Sequence, residues 1–519
     1  MSSIKKCALI LILPGAIAGC AVTPEPLTQA KIDEFAETQK ASLAADVVPP
    51  GGRIDLTEAI ARAIKFNLDH RVEQMAASVA LAKLDVANWQ MLPKVVASSD
   101  YFGRDNYAGS RSRSLITGRQ SLEYSTSQDR SYASGDISFS YNILDFGLSY
   151  VRAKQAADQA MRADEQRRKA LVRIIEDTRT AYWRAISSER LLARMRSLER
   201  DVRGSLRNTR ALSRNGLSQP LPALTYEREL VAIKRELQQL ERNLVVARQQ
   251  LAALVNIAPG SRFRLHVPSH RPVPPVLAWR PDAMVDVALR NRPEVRQLMY
   301  ENRINQKEAT AALLEMLPGV QVFLGPNVNT NSYLYKGNWV AWGAKASWNL
   351  MKVFSYPAVR GQVEMQDGLN RERALALTMA IMTQVHVSRA KFANLAKEFH
   401  TAGEYRAVQR RLFNQVRGET AAERSSQQNL IRERMNTIVA DAKYDIAYAD
   451  LQNAYGNILA SIGVDFIDPA TANRSSVAEL KAQVDRALRE AFRQRDIRTM
   501  VLPQPVAPQK VSVNQRSGI

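Results

Sequence analysis

Cysteine and histidine are both scarce in this chain, with 2 and 5 residues among 519. Cys7 and Cys20 are too few for a disulfide-stapled scaffold or a thiolate metal cluster, so packing has to hold the fold. Of the histidines, His70, His266, His270, His386 and His400, only His266 and His270 lie close together. They sit in a Pro-rich stretch without an acidic companion, and no metal site is expected there. Beyond the first twenty residues no run reaches eighteen apolar positions, so no spanning helix is expected. A β-barrel stays open, because its strands need only about ten alternating residues each. The chain also lacks a phosphate-binding glycine loop and a helical zinc motif. Val231-Ala232-Ile233-Lys234 and Asp145-Phe146-Gly147 copy kinase strings, but in the wrong order and without a catalytic loop. The carboxylates are interleaved with Arg, as on solvated helix faces. The reading is a non-enzyme with no catalytic residue, cofactor or metal.

What is present is an ordered chain, 45% hydrophobic and 24% charged, with a net charge of +21. That charge fits nucleic acid, anionic lipid or an acidic cargo and does not choose among them. Lys5 and Lys6 precede an apolar run from Cys7 to Leu13, followed by Ile17-Ala18-Gly19-Cys20. This reads as a secretory signal, residues 1–19, and its end resembles the lipobox at which bacterial lipoproteins are cut and acylated. Cys20 is then the lipidation site, and acylation leaves the mature chain no thiol. In that lipoprotein pattern an Asp directly after the Cys retains the protein at the inner membrane. Ala21 stands there instead, which points to the outer membrane. Residues 20–53, with Pro24, Pro26, Pro49 and Pro50, read as a loose acylated tether.

Helical spacing runs from Leu56 to Leu92 and stops at Pro93. From Val95 to Gly103 and from Gly135 to Asn142 the period is two. Ile137, Phe139 and Tyr141 alternate with Ser138, Ser140 and Asn142. A polar loop of about thirty residues separates these two strands. Next comes a Pro-free stretch to Arg214 which, as a single helix of 67 residues, would be about 100 Å long. The segment Arg214-Asn215-Gly216-Leu217-Ser218-Gln219-Pro220 is a turn. A return helix, Leu221 to Asn256, carries a near-heptad seam, so rod and return should pair as an antiparallel coiled coil. The helices before and after the rod, stacked end to end, match its length.

The chain then repeats itself. A Pro-rich linker, residues 267–281, leads to a helix ending at Leu317-Pro318, as Leu92-Pro93 ends the first. Two more alternating segments follow, Val320 to Asn327 and Trp339 to Trp348, the second with Val340, Trp342, Ala344, Ala346 and Trp348 on one face. A rod from Phe354 to Arg417, a turn at Gly418 and a return helix to Ile462 complete the second unit. Four strands cannot close a barrel, which needs about eight, and a lipid-exposed edge is forbidden. Other subunits must supply the rest. A sandwich with one solvated face is the competing reading of the strands.

The Arg292-Pro293 helix start, Leu92-Pro93 and Leu317-Pro318 ahead of the hairpins, the run Tyr141-Asn142-Ile143-Leu144-Asp145-Phe146-Gly147 and the rod turn Arg214 to Ser218 resemble those of TolC-like outer-membrane efflux proteins, lipoprotein subgroup, over residues 54–466. The resemblance implies a mainly α fold with a membrane β-barrel. Three chains would give a trimeric twelve-stranded barrel, four strands each, continued into a long antiparallel coiled-coil helical tunnel. The repeats would be residues 54–266 and 282–466, with a basic tail at 467–519. It further implies an outer-membrane exit duct, lipid-anchored, with the tunnel in the periplasm and docked on a periplasmic adaptor and an inner-membrane pump. Nucleic acid is not a partner in this picture. Ser138, Ser140 and Asn142 would line the lumen. Arg214, Asn215, Gly216, Leu217, Ser218 and Arg417, Gly418, Glu419, Thr420 would be adaptor-contact tips, a plain interhelical turn being the other reading of the glycines. In the family, the return helix carries acidic residues six and nine places after the second tip Gly, and these ring a cation-favouring entrance. Counted from Gly418, those places hold Arg424 and Gln427. A ring of Arg424 would favour anions; the alternative is that Arg424 pairs with Glu423, Glu419 or a neighbouring chain.

Two rivals remain. A basic coiled-coil scaffold or nucleic-acid binder explains the charge and the rods, but not the lipobox, the strands or the duplication. A lipid-anchored periplasmic adaptor would carry one helical hairpin, not two. The region from Ser476 to Arg498 reads as a basic helix. It either packs around the tunnel's middle, meets acidic surfaces, or forms a solvated tail. The cargo, whether drug, metal, protein or polysaccharide, is set by the pump and is not written in this sequence.

Overall fold

The computed structural model describes residues 25–215, 220–258, 260–268, 273–274, 279–464, 467 and 475–493. The signal, Cys20, Gly216, Leu217, Ser218, His270 and everything past Arg493 lie outside the described residues. The chain divides at Gly51. In the first unit, helix α1, Gln29–Asp46, starts at Thr28, whose hydroxyl accepts from the Lys31 N–H. The loose tether expected there is thus corrected: eighteen Pro-free residues rich in Ala, Gln, Glu and Lys favour helix. It buries no residue.

The second unit carries the duplication. Its first half is β1 (Arg53–Ile54), α2 (Leu56–Phe66), α3 (Leu68–Trp89), β2 (Lys94–Gly103), β3 (Ser131–Asn142), the rod α4 (Ile143–Arg214) and α5 (Pro220–Leu254). The second half is β4 (Arg264–Leu265), α6 (Pro281–Asn291), α7 (Pro293–Leu314), β5 (Gly319–Asn329), β6 (Asn338–Ser347), the rod α8 (Met351–Ala421) and α9 (Gln427–Ser461), followed by α10 (Val477–Arg493). At 72 and 71 residues each rod is about 107 Å long. As the lengths required, α3 and α5 both pack on α4. β1 and β4 form a short parallel pair, and the other four strands form one antiparallel sheet in the order β2-β3-β5-β6.

The single helix expected from Leu56 is broken at Asn67, and its counterpart is broken at Arg292. Both residues sit extended, at φ −62°, ψ 128° and φ −64°, ψ 135°. Pro293 enforces the second break by taking the first helical position. At the first, the Asn67 carboxamide accepts from the His70 N–H and donates to the Leu254 carbonyl at 3.2 Å. Each break therefore meets the end of a return helix. The return helices stop with the same pair of hydrogen bonds: Ile257 to Ala252 and Asn256 to Ala253 in one, Val464 to Leu459 and Gly463 to Ala460 in the other. The residue at the left-handed position is Asn256 at φ 53° or Gly463 at φ 74°. A Cβ on Gly463 would stand 3.0 Å from the Arg292 nitrogen, so glycine lets the two chain segments touch.

The core runs along the helices. Leu230, Leu237, Leu244 and Leu251 fall seven apart on α5 and are all buried. The first three join Leu191, Met195, Leu198 and Val202 of α4 and Ile431, Met435 and Ile438 of α9. A second cluster gathers Tyr182, Trp183, Leu251, Leu265 and Tyr448. A third joins α2, α4, α6, α8, α9 and α10 through residues such as Ile60, Ile175, Val385, Ile458, Leu480, Val484 and Leu488. The last three place α10 on the core, and its Lys481 ammonium bridges Asp55 at 2.6 Å and Glu58 at 3.5 Å. Ser476 and Glu479 cap α10 reciprocally. The described part of the basic segment is thus packed, not a solvated tail. Its apolar positions at every fourth residue supply the reason.

His70 is fully buried, with Nδ1–H donating to the Ile64 carbonyl at 2.9 Å. Burial pushes its pKa from 6.5 down to about 4, with the Arg167 charge acting in the same direction. The unfolded ring then takes up a proton that the folded one refuses. Stability is full above pH 6.5 and declines as the pH falls towards 4, by up to about 3 kcal/mol. His70→Gln keeps a donor for Ile64, so its melting temperature should fall less than the parent's between about pH 7 and pH 4.5. Circular dichroism in detergent measures this, and equal slopes would contradict it.

Candidate pore wall and helix tips

Directly opposed residues of antiparallel strands point to the same side, so the register sorts the sheet into two faces. Pairings such as Val95 with Phe139, Phe139 with Leu324 and Leu324 with Trp342 collect Val95, Ala97, Tyr101, Ile137, Phe139, Tyr141, Val320, Val322, Leu324, Val328, Val340 and Trp342 on one face. Lys94 with Ser140, Ser98 with Asp136, Ser134 with Asn329 and Gln321 with Lys345 put most of the polar groups on the other, with Val96, Phe102, Phe323 and Trp339 among them. Ser138 and Ser140 are on this polar face, beside the charged Lys94, Asp100, Asp136 and Lys345. Those charges escaped the sequence reading, although alternation from Val95 onward would have placed them. The apolar face is bare among the described residues: Trp342 is 80% and Val95 67% exposed. Among the described residues the two outer strands, β2 and β6, each have one neighbour only.

Asn142 has a further task. Its register puts it in line with Ser138 and Ser140, and its side-chain oxygen accepts from the Leu144 and Asp145 N–H groups at 3.1 and 3.4 Å. It starts the rod as a helix cap. Strand passes to rod without a loop, so the last strand residue has to cap the first turn. Asp145, Phe146 and Gly147 already lie within α4.

At the far end of the first rod, Arg214 closes α4 and Asn215 follows as its cap. The second tip differs from expectation: the helix does not turn at Gly418 but continues to Ala421. Arg417, Gly418, Glu419 and Thr420 are therefore helical. The reversal lies at Ala422–Ser426, closed by Arg424 N–H to Glu419 carbonyl at 2.8 Å and Glu423 N–H to Thr420 carbonyl at 3.2 Å. Glu423 occupies the left-handed position, φ 57°, that usually falls to glycine. Gly418 misled the sequence reading: it is exposed, with nothing within 4 Å of where a Cβ would stand, and its cost of about 1 kcal/mol relative to Ala is too small to end a 71-residue helix. Arg424 consequently sits on the turn rather than on the return helix, and Gln427 is the first residue of α9. Arg424 is exposed and makes no ion pair with Glu419 or Glu423 among the described residues.

Between tip and core, charge fastens the helices. Asp441 of α9 is fully buried and receives Arg194 of α4 together with Arg406 at 2.7 Å and Arg410 at 2.9 Å from α8. Four residues on, Asp445 receives Arg190 at 2.7 Å. Each helix thus contributes partners four residues apart, one turn of one face. Burial pushes the Asp441 carboxyl up, but the hydrogen bonds and charges of Arg194, Arg406 and Arg410 prevail and hold it below 3.8. The clamp is complete above that value and is lost as the pH falls through the folded pKa. Two acids one turn apart on this helix were visible in the sequence, but their arginine partners were not.

Among solved structures, the chain superposes on the CmeC outer membrane channel of Campylobacter jejuni with a TM-score of 0.61, at 11% identity over 85% of this chain and 90% of that one. The open state of the MtrE outer membrane channel of Neisseria gonorrhoeae gives 0.59, at 16% identity over 79% and 88%. VceC, an outer membrane protein of Vibrio cholerae, gives 0.55, at 12% identity over 79% and 96%. The chain has the fold of these outer-membrane proteins. No protein-family profile and no curated protein sequence matches it.

The tip geometry gives a stability prediction. Replacing Glu423 with Gly relieves a left-handed side chain and should stabilise the second hairpin by about 1 kcal/mol, read as a higher melting temperature. A destabilised Glu423→Gly protein would show that the carboxylate, not the backbone, decides this turn.

Proposed function

We propose that this chain is the outer-membrane exit duct of a tripartite export system, a passive conduit fed by an inner-membrane pump through a periplasmic adaptor. The observation that carries the reading is the bare apolar sheet face, in a fold shared with outer-membrane channels. In water that face would be an aggregation site; in a bilayer it is a lipid surface. The free edges of β2 and β6 call for further copies, and three copies of four strands make a twelve-stranded barrel. A second feature supports the same assembly: Val72, Val79 and Val86 lie seven apart on α3 and are exposed, as are Met365, Leu369, Leu375 and Met379 on α8. Such stripes fit helices of neighbouring copies closing a tunnel. A coiled-coil scaffold or adaptor that forms no pore leaves both the face and the stripes without a purpose.

In this reading Cys20 carries the lipid anchor, and Ser138 and Ser140 face water inside the barrel. The two tips, Arg214 to Ser218 and Arg417 to Thr420, meet the adaptor. Arg424 and Gln427 stand at the entrance. Three guanidinium groups around a narrow opening would raise its potential and favour anions. The helices carry no catalytic constellation in this picture, so the energy for export comes from the pump.

Photocrosslinkers placed in cells at Ser218 and Glu419 should capture a periplasmic adaptor. If both capture nothing while the protein is trimeric in the outer membrane, docking is wrong and the chain is a stand-alone pore. For the entrance, Arg424→Ala should move the reversal potential of reconstituted channels towards cations. A parent channel that already prefers cations, and is unchanged by the substitution, would contradict the Arg424 ring.

A further inference from the structure

The connection between β2 and β3, residues 104–130, leaves the sheet at the end opposite the rods, as does the connection between β5 and β6. It forms a second, smaller hairpin, held by bridges between Ser110 and Ser125 and between Arg113 and Gln120. At its base the two connections are tied together: the Asn331 carboxamide accepts from the Asp129 N–H at 3.0 Å and donates to the Ser127 carbonyl, and the Ser332 hydroxyl donates to Asp129 at 2.8 Å.

At its tip the backbone polar groups are spent internally. Ser114 N–H donates to the Arg119 carbonyl and Gly118 N–H to the Ser114 carbonyl, both at 2.9 Å. Gly118 supplies the left-handed residue, φ 66°, and Arg113 Nε–H donates to its carbonyl at 2.9 Å. What this closed turn presents outward is apolar: Leu115 is 101% and Ile116 96% exposed, with Leu122 at 92% just below. A polar loop with no partner has no reason to order itself around two bare aliphatic side chains.

The charge around them is mostly of one sign. From Tyr107 to Tyr124 the chain has Arg111, Arg113 and Arg119 against a single acid, Glu123. None of the three arginines forms an ion pair among the described residues, and Arg111 lies over the Tyr124 ring at 4.3 Å. Aliphatic side chains at a tip, beside a net excess of guanidinium charge, match a surface that is apolar within and phosphate-bearing outside. Guanidinium binds phosphate bidentately, and each basic residue adds to attraction by an anionic membrane.

We propose that this hairpin is a membrane-surface anchor: Leu115 and Ile116 enter the headgroup region of an anionic lipid surface while Arg111, Arg113 and Arg119 bind its phosphates. The proposal rests on the channel reading above, which sets the rod-free end of the sheet at the outer face of the membrane. The anchor would hold the mouth of the barrel against the bilayer and leave the bore unobstructed.

The test uses full-length protein with Thr117→Cys, labelled with an environment-sensitive dye. It is reconstituted into vesicles of phosphatidylcholine alone or phosphatidylcholine mixed with phosphatidylglycerol, and the identically treated parent gives the background. Quenching by neutral, water-soluble acrylamide should weaken about threefold or more in the anionic vesicles, and that protection should fade with added salt. Combined Arg111→Gln, Arg113→Gln and Arg119→Gln should abolish it, as should Leu115→Ser with Ile116→Ser. Equal protection in both lipids, indifferent to the arginine changes, would mean that protein covers the tip and would overturn the anchor. So would an absence of protection in either lipid. Ion conductance of the same vesicles is recorded in parallel: conducting channels with an unprotected tip count against the anchor alone, whereas loss of conductance counts against the channel reading.

Discussion

A sheet edge carries N–H and C=O groups that must be bonded, and hydrocarbon offers no water to bond them. The sheet β2-β3-β5-β6 has two such edges and one mainly apolar face, so a single copy is an unfinished object in either solvent. In water the face is unfavourable, and in lipid the edges are. Joining edges between copies while turning the apolar face outward removes both penalties together. The exposed stripes on α3 and α8 then fall into place as the helical counterpart of those edges. The cap at Asn142 has a local reason: a strand that runs directly into a helix leaves no loop to satisfy the helix's first N–H groups.

The duplication explains how rods of about 107 Å hold together without disulfides. Each repeat breaks its first helix at a defined residue, Asn67 or Arg292, and lays that break against the end of a return helix closed by a left-handed residue, Asn256 or Gly463. Two return-helix ends closed by the same backbone hydrogen bonds but different residues imply that backbone geometry, not residue identity, is the repeated unit. Between joints and tips, the arginines around Asp441 and Asp445 tie three helices by charge, where leucine packing alone would permit sliding along the seam.

Much of this was legible in the sequence, for physical reasons. Period-two alternation placed all four strands to within a few residues, since successive side chains of a strand point to opposite faces and one face here is mainly apolar. The heptad of Leu230, Leu237 and Leu244 fixed the return helix. What stayed hidden depends on contacts distant in the chain. Asn67 breaks a helix by bonding to Leu254, and nothing local announces that partner. Glu423 turns the second tip against its own preference, while Gly418, the residue that advertised a turn, stays helical. Alternation placed Asn142 on the face of Ser138 and Ser140 but did not show that it also caps the rod. Arg194, Arg406 and Arg410 meet at Asp441 from two helices that no spacing rule connects.

The central claim is that the edges of β2 and β6 are completed by other copies of this chain. Within one copy they are three strand spacings apart, about 14 Å, beyond the roughly 7 Å that a disulfide can bridge. Cysteines introduced along the outward edges of β2 and β6, oxidised in the membrane and resolved by denaturing electrophoresis, decide the matter. The account predicts register-dependent bands that end at three linked chains. Pairs that yield only uncrosslinked single chains at every register would contradict it.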